Sequence, residues 1–562
     1  MCIRDSLSDA QHQDWEAMEQ QAVKTDVLVV GGGPVGLSLA GDLGWRGHAC
    51  VLIEQGDGVV RQAKMDGVGV RTMEFCRRWG IVGDVEGSDY NRAYPQDNVY
   101  LTTLDGYELG RQPMPAMQDD RPPPESPQKR ERCPQNMFDP ILQKFARSRP
   151  GVSLRYGQRL LDFEQDAEGV TATVEHAATG VRTVYRARYL VGCDGGRSTV
   201  RERLGIGMQG KGVLTHTTNV IFRCAGFNAL HDKVPGYRYM FVGAQGVWAT
   251  IVAINGNDQW RMSIIGTADE RKVYGDDELK AFAHRAVGRV FELEILSILR
   301  WTRIEQVADA YGRDRVFIAG DACHLTSPTG GLGMNTGIGD AVDISWKLSA
   351  CLEGWGGPAL LASYGIERRP IAHRITRFST SNLEVMQQVP HTAQVFEAGE
   401  AGDRARAQVG QALSDGLRKE WFSKNMHLGN RYTGSPVCVY DEPESPEQIQ
   451  AEFLDAVNYR PGTRPGARAP HAWLEDGRST LDLFGRGFVL MSDAAHTGEA
   501  AALLAAAEAA GVPVRQHAMR EPEVIAAYQK RHVLVRPDGH VAWRGDAMPR
   551  DPAALVKTVA GH

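Results

Sequence analysis

The sequence is poor in the features that mark several large protein classes. Its 9 cysteines are scattered, odd in number and without a CxxC pair, which argues against a zinc site or a disulfide scaffold. A reducing cytoplasm is the expected location. No apolar run reaches the length of about 18 residues that a membrane helix needs, so no membrane span is expected. The polar start has no signal-peptide character, and we interpret residues 1–22 as a tail.

The chain also lacks an excess of positive charge. Its 63 basic residues face 69 acidic residues, a formal net charge of -6, so nucleic-acid binding is not expected. The charged run at residues 129–132 is interpreted as a solvated face, with phosphate contact as the alternative. A length of 562 residues is too great for one core and predicts three or four modules.

A strand, a glycine loop and a helix follow one another near the start of the chain. The apolar run at residues 26–30 predicts a buried strand, and the loop GGGPVG at residues 31–36 leads into a helical pattern. This GxGxxG spacing lets backbone approach a pyrophosphate at a helix N-terminus. Glu54 ends the next predicted strand, where its carboxylate can accept hydrogen bonds from ribose hydroxyls. The pattern predicts a dinucleotide site.

A second loop, of a different kind, lies far downstream. An apolar strand pattern at residues 316–319 stops at Gly320-Asp321, a turn rich in proline and glycine follows, and a helix begins near Asn335. Such a loop brings bare backbone against a flat, anionic ligand. Together the two loops predict a dinucleotide held along its whole length, with its reactive ring on the downstream loop.

Three separated motifs resemble those of the class A flavoprotein monooxygenases, the single-component aromatic hydroxylases. They are GGGPVG with Glu54, VGCDGGRS at residues 191–198, and Gly320-Asp321 with PTGGLGMN at residues 328–335. The resemblance implies FAD as cofactor, NAD(P)H as co-substrate, and O2 and a small phenolic compound as substrates. The residues that it implies for cofactor binding are Gly31, Gly33, Pro34, Val35, Gly36, Glu54, Gln55, Arg71, Gln135, Asp194, Gly195, Asp321, Pro328, Gly331, Gly333, Met334 and Asn335.

The resemblance also implies a fold of the α/β (α+β) class. A Rossmann-like FAD-binding domain would be interleaved with a mixed-sheet substrate domain, and a thioredoxin-like α/β domain would follow. Without a CxxC pair we expect this last domain to serve packing or homodimer contacts, not redox chemistry. The predicted division is a tail at 1–22, the FAD-binding domain at 23–95, 130–205 and 300–395, the substrate domain at 96–129 and 206–299, a helical segment and linker at 396–460, and the C-terminal domain at 461–562.

The segment KMDGVGVRTME at residues 64–74 resembles one subfamily more closely, the phenol and hydroxybenzoate hydroxylases. Its aspartate corresponds to Asp66, which there helps to remove the phenolic proton, because a flavin hydroperoxide delivers an electrophilic oxygen and phenolate is richer in electrons than phenol. A phenol of pKa about 10 and an aspartic acid of pKa about 4 differ by roughly 8 kcal/mol. A cation that stabilises phenolate is therefore needed, and Arg261, on a predicted sheet strand, is the candidate. Ser263 replaces the tyrosine that the subfamily has two residues later.

Other roles and functions remain open from the sequence. Asp66 has a loop or helix-capping carboxylate as its alternative, and Arg261 an ion-paired strand arginine. The same chemistry on a polyketide or antibiotic is one alternative function, and a FAD oxidoreductase without oxygen insertion is another. A scaffold protein on a degenerate flavin fold is a third, and the intact glycine loops argue against it.

Overall fold

The computed structural model describes residues 22–389 and 393–562, so nearly all of the predicted tail lies outside the described residues. Its strands are β1 Val23–Val30, β2 Cys50–Glu54, β3 Gly67–Val68, β4 Asn98–Leu101, β5 Glu108–Gln112, β6 Glu131–Arg132, β7 Val152–Tyr156, β8 Gln158–Gln165, β9 Val170–His176, β10 Arg182–Gly192, β11 Met208–Arg223, β12 Arg238–Gly243, β13 Gly246–Ala253, β14 Gln259–Ile265, β15 Glu294–Ala308, β16 Gly312–Arg313, β17 Val316–Ile318, β18 His324–Leu325, β19 Phe488–Asp493, β20 Val514–Met519, β21 His532–Val535 and β22 Val541–Gly545.

The helices alternate with these strands in the first half of the chain and dominate residues 333–454. They are α1 Pro34–Arg46, α2 Val70–Trp79, α3 Val82–Glu86, α4 Gln135–Arg147, α5 Thr199–Arg203, α6 Asp276–Val287, α7 Gly333–Glu353, α8 Pro358–Gln387, α9 Gly399–Trp421, α10 Lys424–Leu428, α11 Pro446–Leu454, α12 Ala501–Ala509, α13 Pro522–Tyr528 and α14 Pro552–Ala560. No helix within the described ranges is both long and apolar enough to cross a membrane.

The first sheet brings both predicted loops to one edge. Its central strands lie in the order β17-β10-β1-β2-β7 and run parallel. The carboxyl ends of adjacent parallel strands meet at the same edge, where α/β sheets bind their ligands. The loops that follow β17, β10 and β1, together with Glu54 at the end of β2, therefore lie side by side. The apolar run of β1 is buried, and α1 packs against β1 and β2 with α4 and α7 packed against α1.

The second sheet provides a broad wall opposite this edge. Its strands lie in the order β18-β15-β11-β14-β13-β12-β4-β5, and β11 and β15 are long antiparallel partners. One face packs on α6 through an aromatic cluster in which the rings of Phe227 and Trp260 lie 4.1 Å apart. The other face carries polar side chains at paired positions: Ser263 lies beside both Asn219 and Thr250. This face is the wall of a cavity.

The C-terminal sheet has the order β20-β19-β21-β22, with β19 and β20 parallel and the other pairs antiparallel. Its hydrophobic core also includes residues of the helices that precede it in the chain, because Trp346 on α7 packs against Phe488 on β19. A fully buried ionic cluster reinforces the contact: Arg536 binds Glu367 on α8 at 2.6 Å and Asp538 at 2.7 Å. The predicted fold class is confirmed, while the residue boundaries of its domains stay a prediction.

One sequence interpretation is wrong. The run at residues 129–132 was expected to be a solvated face, yet Lys129 and Glu131 are buried and the run lines the cavity. Lys129 forms a short ion pair with Glu131, and Arg92 binds the same carboxylate at 2.7 Å. Paired charges of this kind can be buried because each neutralises the other, a pairing that the sequence of a single segment does not reveal.

Candidate active site

A single continuous cavity of about 1570 Å³ lies between the loop edge of the first sheet and the polar face of the second. Ligand pockets usually measure about 300–1,000 Å³, so this cavity has room for a dinucleotide and a further ring system. Most of the predicted site residues line it. They are Gly31, Gly33, Pro34, Val35, Glu54, Gln55, Asp66, Gln135, Asp194, Gly195, Arg261, Asp321, Pro328, Gly331, Gly333, Met334 and Asn335.

The loop between β1 and α1 is shaped by backbone that comes too close for side chains. Gly31 has φ +111°, and a Cβ there would lie 2.3 Å from the carbonyl oxygen of Cys193. Above Gly33, by contrast, nothing lies within 4 Å, and no side chain caps the N-terminus of α1. The free N–H groups of that helix start point to an open space, which is the arrangement that holds a phosphate.

Glu54 is held in place at the neighbouring strand end. Its two carboxylate oxygens each accept a backbone N–H, from Gly32 and from Gly56, both at 2.7 Å. Each oxygen keeps a lone pair for another donor. A ribose with two vicinal hydroxyls supplies such donors, so the position of Glu54 fits the predicted role.

Asp194 and Asp321 lie at the next two strand ends and differ in their surroundings. Asp194 accepts hydrogen bonds from the Ser198 hydroxyl at 2.5 Å and the Val200 N–H at 3.1 Å, while burial raises its pKa. The Asp321 carboxylate is exposed toward the cavity and makes no hydrogen bond with the residues that the structure describes. Asp194 therefore shapes its loop, whereas Asp321 is available for a ligand hydroxyl.

The turn before α7 is fixed by the side chain of Asn335. Its Oδ1 accepts hydrogen bonds from the N–H of Gly69 at 2.8 Å and the hydroxyl of Thr72 at 2.7 Å, and its Nδ2 donates to the carbonyl of Gly331 at 2.7 Å. Gly331 has φ +64° and open space above it. The turn thus presents backbone, not side chains, to the cavity.

Two predicted cofactor residues do not line the cavity. Gly36 packs inside the loop, where a Cβ would lie 2.0 Å from the carbonyl oxygen of Gly31. The Arg71 guanidinium points toward the C-terminal sheet, binding Glu74 at 2.8 Å and the carbonyl of Asp538 at 2.9 Å. Gly36 can thus act through packing within the loop. Direct contact between Arg71 and FAD stays a prediction, and the observed position of the Arg71 guanidinium does not support it.

Asp66 and Arg261, far apart in sequence, form an ion pair at the other end of the cavity. Arg261 Nη1 lies 3.0 Å from Asp66 Oδ1, Nη2 contacts Oδ2, and both side chains are largely buried. Tyr237 donates its hydroxyl to the same Oδ2 at 3.0 Å, and Arg132 donates to the Tyr237 oxygen at 3.0 Å. Three donors hold the carboxylate, leaving one lone pair for a ligand.

The protonation state of this cluster follows from its geometry. Burial raises the pKa of the Tyr237 phenol well above its usual value, although Arg132 opposes the shift. For Arg261, burial lowers the pKa, but the contacts with Asp66 and Tyr237 together outweigh burial, and the net shift is upward. Tyr237 therefore donates a hydrogen bond as a neutral phenol, and Arg261 carries a full positive charge beside any group bound at Asp66.

Several cavity residues were missed by sequence reasoning. Tyr237 lies directly before β12 and donates its hydroxyl to Asp66, and no spacing in the sequence relates it to Arg261. Arg238 and Glu420 form a bidentate ion pair with distances of 3.1 and 2.9 Å. Arg303 on β15 is buried beside that pair, and only the pairing of strands shows that these residues meet.

A histidine next to the Gly69 turn was missed as well. The ring of His427 comes so close that a Cβ on Gly69 would lie 2.7 Å from its Nδ1. Burial, and then the charge of Arg130, lower the pKa of His427 to about 4. At neutral pH this ring is uncharged, so it adds shape and hydrogen-bonding capacity to the cavity wall and no positive charge.

The residues at the loop edge fit FAD. Gly33, Gly195 and Gly331 each have open space where a side chain would otherwise stand, and Asp321 and Glu54 provide free acceptor capacity for hydroxyl groups. The helix start at Pro34 suits a pyrophosphate, and the exposed backbone at Gly331 to Asn335 suits a flat ring. Their order along the edge matches the order of these parts in the dinucleotide.

Comparison with protein families gives two matches that together span most of the chain. Residues 24–379 match the family described as FAD binding domain. Residues 462–561 match the family described as aromatic-ring hydroxylase, C-terminal. The first match includes every predicted site residue, and the second coincides with the C-terminal sheet and its helices.

Individual proteins are similar over nearly the whole length. A putative polyketide hydroxylase of Streptomyces coelicolor is 32% identical, over 96% of each chain. Phenol 2-monooxygenase of Pseudomonas sp. (strain EST1001) is 30% identical, over 97% of this chain and 93% of the relative. Among solved structures, RebC with bound 7-carboxy-K252c is 37% identical with a TM-score of 0.89, over 96% of this chain and 99% of RebC.

Proposed function

The chain belongs to the FAD-dependent aromatic-ring hydroxylases and is a flavoprotein monooxygenase, and from this premise we propose that it hydroxylates a phenolic ring with NAD(P)H and O2. When bound, FAD would accept reducing equivalents from NAD(P)H and activate O2 for transfer of one oxygen atom. The protein would supply orientation, charge and exclusion of water. The observation that carries the proposal is the joining of Asp66, Arg261 and Tyr237 in the cavity that the FAD-binding loops line.

Asp66 and Arg261 have different roles toward the substrate hydroxyl. The remaining lone pair of Asp66 accepts the hydrogen bond of a phenolic O–H, which orients the ring. Arg261, charged and partly desolvated, stabilises the negative charge as the proton leaves. At an effective dielectric of about 20, two unit charges 4 Å apart interact by about 4 kcal/mol. Because Arg261 is already paired with Asp66, its contact with phenolate replaces the attraction that is lost when Asp66 takes the proton, so the transfer costs no more than the roughly 8 kcal/mol that separates phenol from aspartic acid.

Tyr237 and Arg132 position this pair. The Tyr237 hydroxyl donates to Asp66, and the Arg132 guanidinium lies 3.6 Å from the centre of the Tyr237 ring. These contacts fix which carboxylate oxygen faces the ring. Cys133 adds a backbone restraint, because its N–H donates to the Asp66 carbonyl at 3.1 Å. A base held from several sides keeps its geometry when the substrate arrives.

A polyketide-sized aromatic is a second candidate substrate, favoured by the size of the cavity. A volume of about 1570 Å³ is larger than the usual ligand pocket of about 300–1,000 Å³, which favours a multi-ring substrate beside the dinucleotide. The similarity to a putative polyketide hydroxylase supports the same direction, whereas the similarity to phenol 2-monooxygenase supports a simple phenol. A screen of one-ring and multi-ring phenols, followed by product mass, separates the two.

The function is tested by Asp66→Ala and Asp66→Asn in the holoenzyme. Loss of a general base typically costs about 10²–10⁴-fold in rate, so we expect hydroxylated product to fall at least about 100-fold. NAD(P)H oxidation should continue and yield hydrogen peroxide, because the cofactor loops are unchanged. Bound FAD, NAD(P)H consumption, peroxide and product mass are measured together.

The control is Asp57→Asn, which breaks an exposed ion pair with Arg61 and should leave all four quantities unchanged. Removing one partner of a buried pair destabilises proteins by about 3–5 kcal/mol, and the isosteric asparagine limits that loss. Unchanged product yield in Asp66→Asn contradicts the role of Asp66. A wild-type enzyme that consumes NAD(P)H without ever adding an oxygen atom to an aromatic compound contradicts the function.

A further inference from the structure

Arg303 is a buried guanidinium that the protein leaves mostly without partners. Only 5% of its surface is exposed, and it lines the cavity from β15. Its Nε donates to the Thr217 hydroxyl at 3.2 Å, whereas its Nη1 has no acceptor. No ion pair within residues 22–389 and 393–562 includes it; the nearby carboxylates bind other arginines. Burying a charge without a counter-charge raises the free energy of the folded state. The buried guanidinium of Arg303 therefore indicates an anionic ligand.

The charges around Arg303 leave one positive charge in excess. Glu420 is bound by Arg238, with Nη2 and Oε2 2.9 Å apart, and Asp66 is bound by Arg261. These two neutral pairs add no net charge, and Arg303 is the third arginine of the group. Burial, then Arg238, lower its pKa to about 10. Arg303 therefore stays positively charged at neutral pH.

The wall beside Arg303 supplies more donors than acceptors. Trp301, two residues earlier on β15, has a buried indole N–H with no acceptor, and its ring centre lies 5.3 Å from the Arg303 guanidinium carbon. Among the described residues of β11 and β15, Thr215 Oγ1, Asn219 Oδ1 and Glu305 Oε2 are buried acceptors without a partner, and of these three residues only Asn219 lines the cavity. A ligand that satisfies this wall carries an acceptor-rich, negatively charged group beside an aromatic body.

The position of Arg303 separates this group from the reacting hydroxyl. Across β11, Arg303 pairs with Thr215, and Arg261 pairs with Ile221. The two attachment points are six residue steps apart along β11, at about 3.3 Å for each step. Glu420, which neighbours Arg303, also accepts the N–H of Gly330 at 3.0 Å, so the Arg303 wall adjoins the turn that fits the flat ring of FAD.

We propose that the substrate is an aromatic carboxylate, and that Arg303 binds its carboxylate while the ring to be hydroxylated lies at Asp66 and Arg261. This inference rests on the proposed function and specifies its substrate class. A carboxylate suits the site because its two oxygens match the fork of a guanidinium. Trp301 supports the adjoining ring and donates its N–H to the same anionic group.

The test compares a carboxylic acid with its neutral, equally large amide. Binding of 6-hydroxy-2-naphthoate and of 6-hydroxy-2-naphthamide, whose hydroxyl lies at the opposite end of the ring system from the acid or amide group, is followed in the oxidised holoenzyme by the change in flavin absorbance, without NAD(P)H or turnover. Wild type should bind the acid at least about 10-fold more tightly, the usual effect of one charged hydrogen bond. Arg303→Met should abolish the preference, and Arg303→Lys, which keeps the charge but not the fork, should restore part of it.

The matched control is Arg377→Met, which removes an exposed arginine outside the cavity and should keep the wild-type preference. Equal binding of acid and amide to wild type overturns the inference, as does a preference that survives in Arg303→Met. Failure of the acid to bind at millimolar concentration counts against it as well. Because binding is measured without oxygenation, a wild type that prefers the acid but yields no hydroxylated product refutes the proposed function alone.

Discussion

The two ends of the cavity present different chemical groups: mainly backbone at one end and charged side chains at the other. At the loop edge the protein offers backbone: Gly33, Gly195 and Gly331 leave open space, and helix starts present N–H groups. At the sheet wall it offers charged side chains in pairs, such as Asp66 with Arg261. The first end depends on glycines that keep the cavity open for a ligand, whereas the second depends on residues that meet only after β11 to β15 have paired. The two ends should therefore fail in different ways.

The largest expected effect is at the loop edge, from Gly33→Val. Gly33 has φ -77°, so valine strains no backbone, and nothing of the protein lies within 4 Å. The side chain would occupy the space that fits the pyrophosphate. We expect FAD affinity to fall by about 1,000-fold, equivalent to about 4 kcal/mol, while the thermal stability of the FAD-free protein stays within about 0.5 kcal/mol of wild type. Equilibrium dialysis and calorimetry of the FAD-free protein measure the two quantities.

A matched control for that substitution is Gly226→Val, at another glycine with open space above it and an ordinary φ of -95°. It should bind FAD like wild type. If Gly33→Val also retained its FAD, the open space above Gly33 would not be the pyrophosphate site, and the contrast between the two ends would lose its basis.

The same contrast explains which features could be predicted from the sequence. The strand β1, the helix α1 and the loop between them follow one another along the chain, so apolar pattern and glycine spacing were sufficient. The order of the parallel strands then brought Glu54, Asp194 and Asp321 to one edge. A resemblance to a known motif also predicted Asp66 as a site residue, and Asp66 lines the cavity beside these loops.

The substrate wall could not be predicted in this way. Tyr237, which lies 171 residues after Asp66 and directly before β12, reaches the Asp66 carboxylate. Arg303 faces the cavity because β15 pairs with β11 over 15 residues despite register shifts at bulges. A single-residue slip would turn that arginine to the opposite face. Arg71 was placed at FAD by motif alone, and its side chain turns instead to Glu74 and the C-terminal sheet.

An intermediate effect is expected from Tyr237→Phe at the sheet wall. The change removes one hydroxyl that bridges Asp66 and Arg132 and leaves the ring and its packing intact. A hydrogen bond to a charged group contributes about 1.5–3 kcal/mol, so product formation should fall about 10-fold, with more peroxide per NAD(P)H oxidised and unchanged FAD content. The rate of product formation and the coupling, meaning the product formed per NAD(P)H oxidised, are measured with the best phenol of the screen.

Tyr94→Phe provides the comparison, since Tyr94 is a buried tyrosine whose hydroxyl contacts Asn228 and Gly236 away from the cavity. It should alter stability at most and leave coupling unchanged. A Tyr237→Phe enzyme that couples as well as wild type would show that Asp66 and Arg261 need no positioning from β12.

The smallest expected effect is the pH dependence contributed by Asp139 beneath the loop edge. Burial raises the pKa of this carboxyl to about 7, although a hydrogen bond from Gln135 opposes the shift. Because the unfolded pKa is 3.8, the folded protein holds this proton more tightly than the unfolded chain. The group therefore destabilises the fold progressively as pH rises from about 4 to about 7, and the penalty is constant at higher pH.

Asp139→Asn removes that titration without changing the shape of the side chain. The variant should match wild type in thermal midpoint at pH 5 and exceed it by roughly 2–4 °C at pH 8, as calorimetry of the holoenzyme at both pH values would show. Asp166→Asn is the contrasting control: its pKa is lowered to about 2, chiefly by a hydrogen bond from Arg186, so its stabilising effect is lost only below pH 4 and not between pH 5 and 8. A wild-type midpoint that keeps a constant offset from that of Asp139→Asn between pH 5 and pH 8 would mean that the carboxyl is already ionised in the fold, and that charge is tolerated beneath the loop edge as it is at the sheet wall.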